Sequence, residues 1–133
     1  MNASSPKIMV VDDDSASLFL MRKVLSADNF LDVEVDVFQD PEKAQASYQA
    51  NKYDVLIVDL RMPGLSGFEI LQDLKDNYEK NAPVIVLTAN VEEGTENRAL
   101  ELGARKVFHK PFYIPDFIHE IKAALKESAV TNP

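Results

Sequence analysis

Four short apolar runs in this chain each stop at a residue that can do chemistry. Ile8-Met9-Val10-Val11 leads into Asp12-Asp13-Asp14, Val55-Leu56-Ile57-Val58 into Asp59, Val84-Ile85-Val86-Leu87 into Thr88, and Val107-Phe108 into Lys110-Pro111 after His109. In a parallel α/β sheet the carboxyl ends of the strands share one edge, and ligands bind there. A carboxylate cluster, a hydroxyl and one ammonium converging on that edge would make a site for a divalent cation and a phosphoryl group.

Each of these residues also has an ordinary reading. Three successive aspartates after a strand can form a solvated turn that caps the following helix. Adding Asp59 from a neighbouring strand, however, places several negative charges within a few ångströms, and something positive must balance them. Hard oxygen ligands suit Mg²⁺, with Mn²⁺ as the alternative. Asp59 could satisfy loop backbone N–H groups. The turn after it, built on Pro63, Gly64 and Gly67, would instead hold the backbone away and leave the carboxylate open to attack a phosphoryl donor. Thr88 could be no more than a good strand former. Lys110 could pair with the carboxylate before reaction and with phosphoryl oxygens afterwards.

The elements that must position these groups are legible from periodicity. Short β-branched runs alternate with longer amphipathic segments, the pattern of repeated βα units and a parallel sheet. Strands are expected at Lys7–Val11, Val33–Phe38, Asp54–Asp59, Pro83–Thr88 and Lys106–His109. In the second, Val33, Val35 and Val37 alternate with Glu34 and Asp36, as an edge strand with one wet face would. Ser15 is expected to cap the first helix and Asp40-Pro41 to open the second. Gly67 opens the third, and Gly103 ends a fourth near Thr95–Leu102. Pro115 starts the fifth, and Ser128–Pro133 reads as a frayed tail or the start of a linker.

The chain has 133 residues, 46% of them hydrophobic, and no cysteine. It has room for one compact domain with a core, and disulfides and thiolate metal sites are excluded. The expected layout is a lead-in over 1–6, the domain over 7–126 and a tail over 127–133. The amino terminus lacks a basic stretch and no apolar run approaches membrane-spanning length, so a cytoplasmic protein is expected. Fourteen Lys and Arg against twenty-two Asp and Glu give a net charge of -8, which opposes nonspecific attraction to nucleic acid. No direct nucleic-acid or membrane contact by this chain is expected.

Val-Val-Asp-Asp, Asp-Leu-Arg-Met-Pro-Gly-Leu-Ser-Gly, Leu-Thr-Ala and Lys-Pro-Phe, in that order, together resemble the receiver domain of two-component response regulators, the CheY-like family. The resemblance runs from about Lys7 to Lys126. It implies a doubly wound (βα)5 fold of the flavodoxin and CheY type, with five parallel strands in the order 2-1-3-4-5. It further implies Mg²⁺ held by Asp13, Asp59 and the backbone carbonyl of Arg61, with Asp12 acting mostly through metal-bound water. Asp59 would accept a phosphoryl group from a histidine kinase or phosphotransfer protein, and Thr88 and Lys110 would bind its oxygens. The Lys110–Pro111 bond would be cis. The domain would be a regulatory phosphoacceptor with self-catalysed transfer and autodephosphorylation, not an enzyme with its own substrate turnover. Its fourth-helix, fifth-strand and fifth-helix surface would report to an output partner or a fused output domain, with homodimerisation on phosphorylation a further outcome.

Two positions depart from the family's pattern. Val107 stands where an aromatic residue usually swings inward, so the two-residue switch is in doubt. Phe108 should face the other side of the strand and not substitute. His109 before Lys110 reads as a partly buried strand side chain. Arg61 and Asn90 flank the route of an attacking water by the same resemblance, and Arg61 could alter the lifetime of the aspartyl phosphate. Haloacid-dehalogenase-like phosphatases are the competing class, since they also use Asp, Thr or Ser, Lys and Mg²⁺. Ala16 stands where they place Thr or Val, the acidic pair after the lysine is missing, and the chain is short for that fold. An unphosphorylated docking module is a third reading.

Overall fold

The three most apolar strands are the three in the middle of a five-stranded parallel sheet. The computed structural model describes residues 5–26, 32–60, 66–77, 82–89 and 92–131. In chain order the elements are β1 (Lys7–Val11), α1 (Ser15–Leu25), β2 (Glu34–Phe38), α2 (Pro41–Ala50), β3 (Val55–Asp59), α3 (Gly67–Asn77), β4 (Val84–Thr88), α4 (Thr95–Glu101), β5 (Lys106–His109) and α5 (Ile114–Thr131). The sheet order is β2-β1-β3-β4-β5, as the resemblance implied.

Alternation along each strand divides the core in two. Met9, Val11, Leu56, Val58, Val84, Val86 and Val107 face α2, α3 and α4, where Tyr48, Ile70, Leu71 and Ala99 meet them. Ile8, Val10, Val55, Ile57, Ile85, Leu87 and Phe108 face α1 and α5, meeting Leu25, Phe117 and Ile121. Strands covered on both faces are uniformly apolar for this reason. Val107 and Phe108 fall into opposite cores, as alternation requires.

Several boundaries differ from the sequence reading. Asp14, not Ser15, caps α1: its side chain accepts from the Ala16 N–H at 3.2 Å and from the Ser17 hydroxyl at 2.9 Å, and Ser15 is the first helical residue. A carboxylate with two acceptor oxygens satisfies two first-turn donors at once. Asp40 caps α2 with Pro41 behind it, as expected. Pro115 lies inside the first turn of α5, which Ile114 opens. That helix continues to Thr131, past Ser128, where the tail was expected to begin. Ser128 is buried and its hydroxyl donates to Asp54 at 3.4 Å, while Arg105 pairs with Glu120 at 2.5 Å and with Glu127. The acidic face of β2 is drier than expected, because half-buried Asp36 accepts from the Tyr53 hydroxyl at 2.7 Å. No helix among the described residues is long and apolar enough to cross a membrane.

Gly67 is required by a close approach. A Cβ there would lie 2.6 Å from the Asp59 carbonyl oxygen and 2.7 Å from the Leu60 Cα, both backbone atoms with little freedom to yield. Gly67→Ala is therefore expected to destabilise the fold by about 2 kcal/mol, within the range for overpacking, and to disturb the segment carrying Asp59. Urea unfolding of the two proteins measures the first effect.

Candidate functional site

Four of the six chemistry-bearing residues singled out in the sequence meet at the carboxyl edge of the sheet. Asp12 follows β1, Asp59 closes β3 and Lys110 follows β5. Both carboxylates are buried, and the lysine ammonium lies 3.0 Å from an oxygen of each. Asp12, Asp13 and Asp59 each place an oxygen within 4.8 Å of the others. Three charges so close repel by about 3 kcal/mol per pair at an effective dielectric constant of 20. One ammonium reaches two of them. Among the described residues Asp13, the more exposed carboxylate, has no ion-pair partner.

Local geometry holds the acidic loop in place. The Asp12 N–H donates to the Phe38 carbonyl at 3.1 Å, and the Asp14 N–H donates to Asp12 Oδ1 at 2.9 Å. Asp14 itself turns away to cap α1, so the ordinary reading of the acidic run holds for this one member. Hydrogen bonds from Ser17 and Ala16 hold its carboxyl below the usual carboxylate range. Thr88 is fully buried at the end of β4, and its carbonyl accepts from the Lys110 N–H at 2.8 Å. The Lys110–Pro111 bond is cis, as the resemblance implied.

The donor set fits a small divalent cation. Carboxylate oxygens from Asp12, Asp13 and Asp59 are hard ligands, and three carboxylates against one ammonium leave the site with excess negative charge. The carbonyl of Arg61, together with Asn90 and the Pro63 and Gly64 turn, lies outside the described residues.

Two features were misread or missed. His109 is exposed, not partly buried, and its Nε2 lies 3.2 Å from Glu96 Oε1 on α4. Edge strand β5 buries only Val107 and Phe108, which leaves its last residue outside the core. Gln39, between β2 and α2, donates from its side-chain amide to the Asp13 carbonyl at 3.0 Å. Nothing in its residue type signals a site, since the contact depends on two loops meeting.

The family model of the response regulator receiver domain matches residues 8–122. The chain belongs to the response regulator receiver domain family. It is 37% identical over 124 residues to the phosphate regulon transcriptional regulatory protein PhoB of Rhizobium meliloti, a match covering 92% of this chain and 53% of that protein. The transcriptional regulatory protein ResD of Bacillus subtilis is 31% identical over 126 residues, covering 95% and 50%. The chain thus spans about half the length of the curated relatives it matches. The receiver domain of the Francisella response regulator 1452 superposes with a TM-score of 0.84 at 27% identity, covering 93% of this chain and 99% of that one. This receiver is accordingly a phosphoacceptor signalling domain of the two-component type.

Burial of the Lys110 ammonium works against its charge, but hydrogen bonds and attraction from Asp12 and Asp59 outweigh burial and hold its pKa above the ordinary lysine value. A raised pKa makes the ammonium's stabilisation fully present below about pH 10.4, the unfolded value, and lost as pH rises through the higher folded one. Wild type should exceed Lys110→Met in stability by about 2 kcal/mol at pH 8. Urea unfolding between pH 8 and pH 12 should show that gap closing above about pH 10.4.

Proposed function

We propose that Asp59 is the phosphoacceptor, with a histidine kinase or phosphotransfer protein as donor. The observation that carries this reading is the Lys110 ammonium held 3.0 Å from both Asp12 and Asp59 at the edge where the strands end. An Asp59 oxygen attacks phosphorus, the bond from phosphorus to the donor histidine nitrogen breaks, and that nitrogen keeps the electron pair. Lys110 orients the carboxylate beforehand and then follows the phosphoryl oxygens, where Thr88 joins it. Asp12, Asp13, Asp59 and the Arg61 carbonyl would hold Mg²⁺, or Mn²⁺ in its place, and the ion supplies charge neutralisation for the transferred group. Hydrolysis of the aspartyl phosphate by water resets the domain, and no other substrate is turned over.

Transfer converts one carboxylate charge into a group with three acceptor oxygens and about two negative charges. The α4-β5-α5 surface is the proposed readout to an output partner or domain. Val107 is short and buried against α4, so an aromatic swing is unavailable. Three contacts instead tie α4 to its neighbours. The Arg98 guanidinium stacks over the Phe68 ring at 4.0 Å, Lys75 donates to the Glu101 carbonyl at 3.3 Å, and Glu96 meets His109.

A groove of about 200 Å³ beside Asp12 and Lys110, lined by Leu20, Met21, Phe112 and Ile114, supports docking of the donor there. Leu20 and Tyr113 are exposed large hydrophobic side chains. Leu20→Asp should slow phosphorylation from a cognate kinase at least tenfold while leaving labelling by acetyl phosphate within twofold, both magnitudes being about what loss of one apolar contact allows.

Intact mass after incubation with Mg²⁺ and acetyl phosphate tests the acceptor assignment. Wild type should gain one phosphoryl group, and Asp59→Asn none. No adduct on wild type despite Mg²⁺ binding would leave a docking module instead.

A further inference from the structure

We infer that Gln39 is a positioning residue that holds Asp13 ready for the divalent cation. The inference rests on the assignment of Asp13 as a metal ligand. Its starting point is a mismatch of charge. Lys110 holds Asp12 and Asp59 in place, but Asp13 is repelled by both and has no ion-pair partner among the described residues. An acidic side chain on an exposed loop would relax outward into water unless its backbone were held.

The β2–α2 junction holds it. Phe38 and Asp40 are committed by the fold, the first through its carbonyl to the Asp12 N–H and the second as the cap of α2. Between them, Gln39 donates from its side-chain amide to the Asp13 carbonyl at 3.0 Å. A carbonyl oxygen only accepts, so the amide nitrogen, and not its oxygen, must face it. The bond restrains the peptide from which the Asp13 side chain springs. It adds no charge to the site, so it fixes the ligand without competing for it as a second lysine would. A partner whose side chain crosses 26 positions of sequence couples the two loops directly.

Gln39→Met keeps the length and removes the donor. Following amide shifts during a MgCl₂ titration, its Mg²⁺ dissociation constant should rise about two- to tenfold, the span one exposed hydrogen bond supports. Thermal unfolding without Mg²⁺ should stay within about a degree of wild type, since the side chain is exposed. Labelling by acetyl phosphate should need more Mg²⁺ and recover when Mg²⁺ is raised. Asp13→Asn, titrated beside it, separates the two claims. Lost affinity in Asp13→Asn with unchanged affinity in Gln39→Met overturns the role of Gln39 alone. Unchanged affinity in Asp13→Asn overturns the ligand assignment and the inference with it. A fall in metal-free stability that accounts for the whole loss of affinity in Gln39→Met makes Gln39 merely structural and overturns the positioning role.

Discussion

Like-charge repulsion among three carboxylates is the constraint around which this domain is arranged. Asp12, Asp13 and Asp59 place oxygens within 4.8 Å of one another at the rim of an otherwise apolar sheet. Left alone, such a cluster would push its loops apart or take up protons. The fold answers with one ammonium from β5, a backbone bond from β2 and the capping turn of α1. These contacts offset part of the repulsion, and three carboxylates against one ammonium still leave an excess of negative charge that suits a cation. The glycine at the start of α3 belongs to the same arrangement, because only hydrogen in place of a side chain lets that helix pack against the Asp59 backbone.

Most of the sheet was legible in the sequence. Strands buried on both faces cannot alternate, so Val55–Val58 and Val84–Leu87 announced themselves as central, and β1 and β5 fell on their read boundaries. The strand order came from resemblance, since periodicity alone gives elements and not their neighbours. That Asp12, Asp13, Asp59 and Lys110 would come together was legible for a simple reason: each is charged and stands just past or at the end of an apolar run. Helix ends were harder. Asp14 and Ser15 are both good caps, and the choice depended on which side chain reached the Ser17 hydroxyl. The end of α5 ran past the expected boundary because Ser128 looks like a breaker until Asp54, just before β3, is seen to receive its hydroxyl. Gln39 and the His109 pairing with Glu96 were illegible, since both depend on which loops the fold brings together.

Val107 has a further meaning for how the parts communicate. A small β-branched side chain packs tightly and has few rotamers to exchange. In the proposed function, a signal from the acidic edge to α4 would therefore run through the contacts that tie α4 to its neighbours and not through a side-chain swing at Val107. Arg98 on Phe68 and Glu96 on His109 hold opposite sides of one short helix. The helix is only seven residues long and buries Thr95 and Ala99, so these side-chain contacts form a large share of what holds it.

Lys110 contacts partners 98 and 51 positions away, and it directly follows β5 at the edge of the sheet. The carboxylates are all present once β3 has been made, but their counter-charge arrives only when β5 docks. Until β5 docks, Asp12 and Asp59 are without the ammonium that lies 3.0 Å from each in the fold. The charge balance of the edge is in this way tied to the docking of the fifth strand: until then the carboxylates face one another without the lysine that bridges two of them.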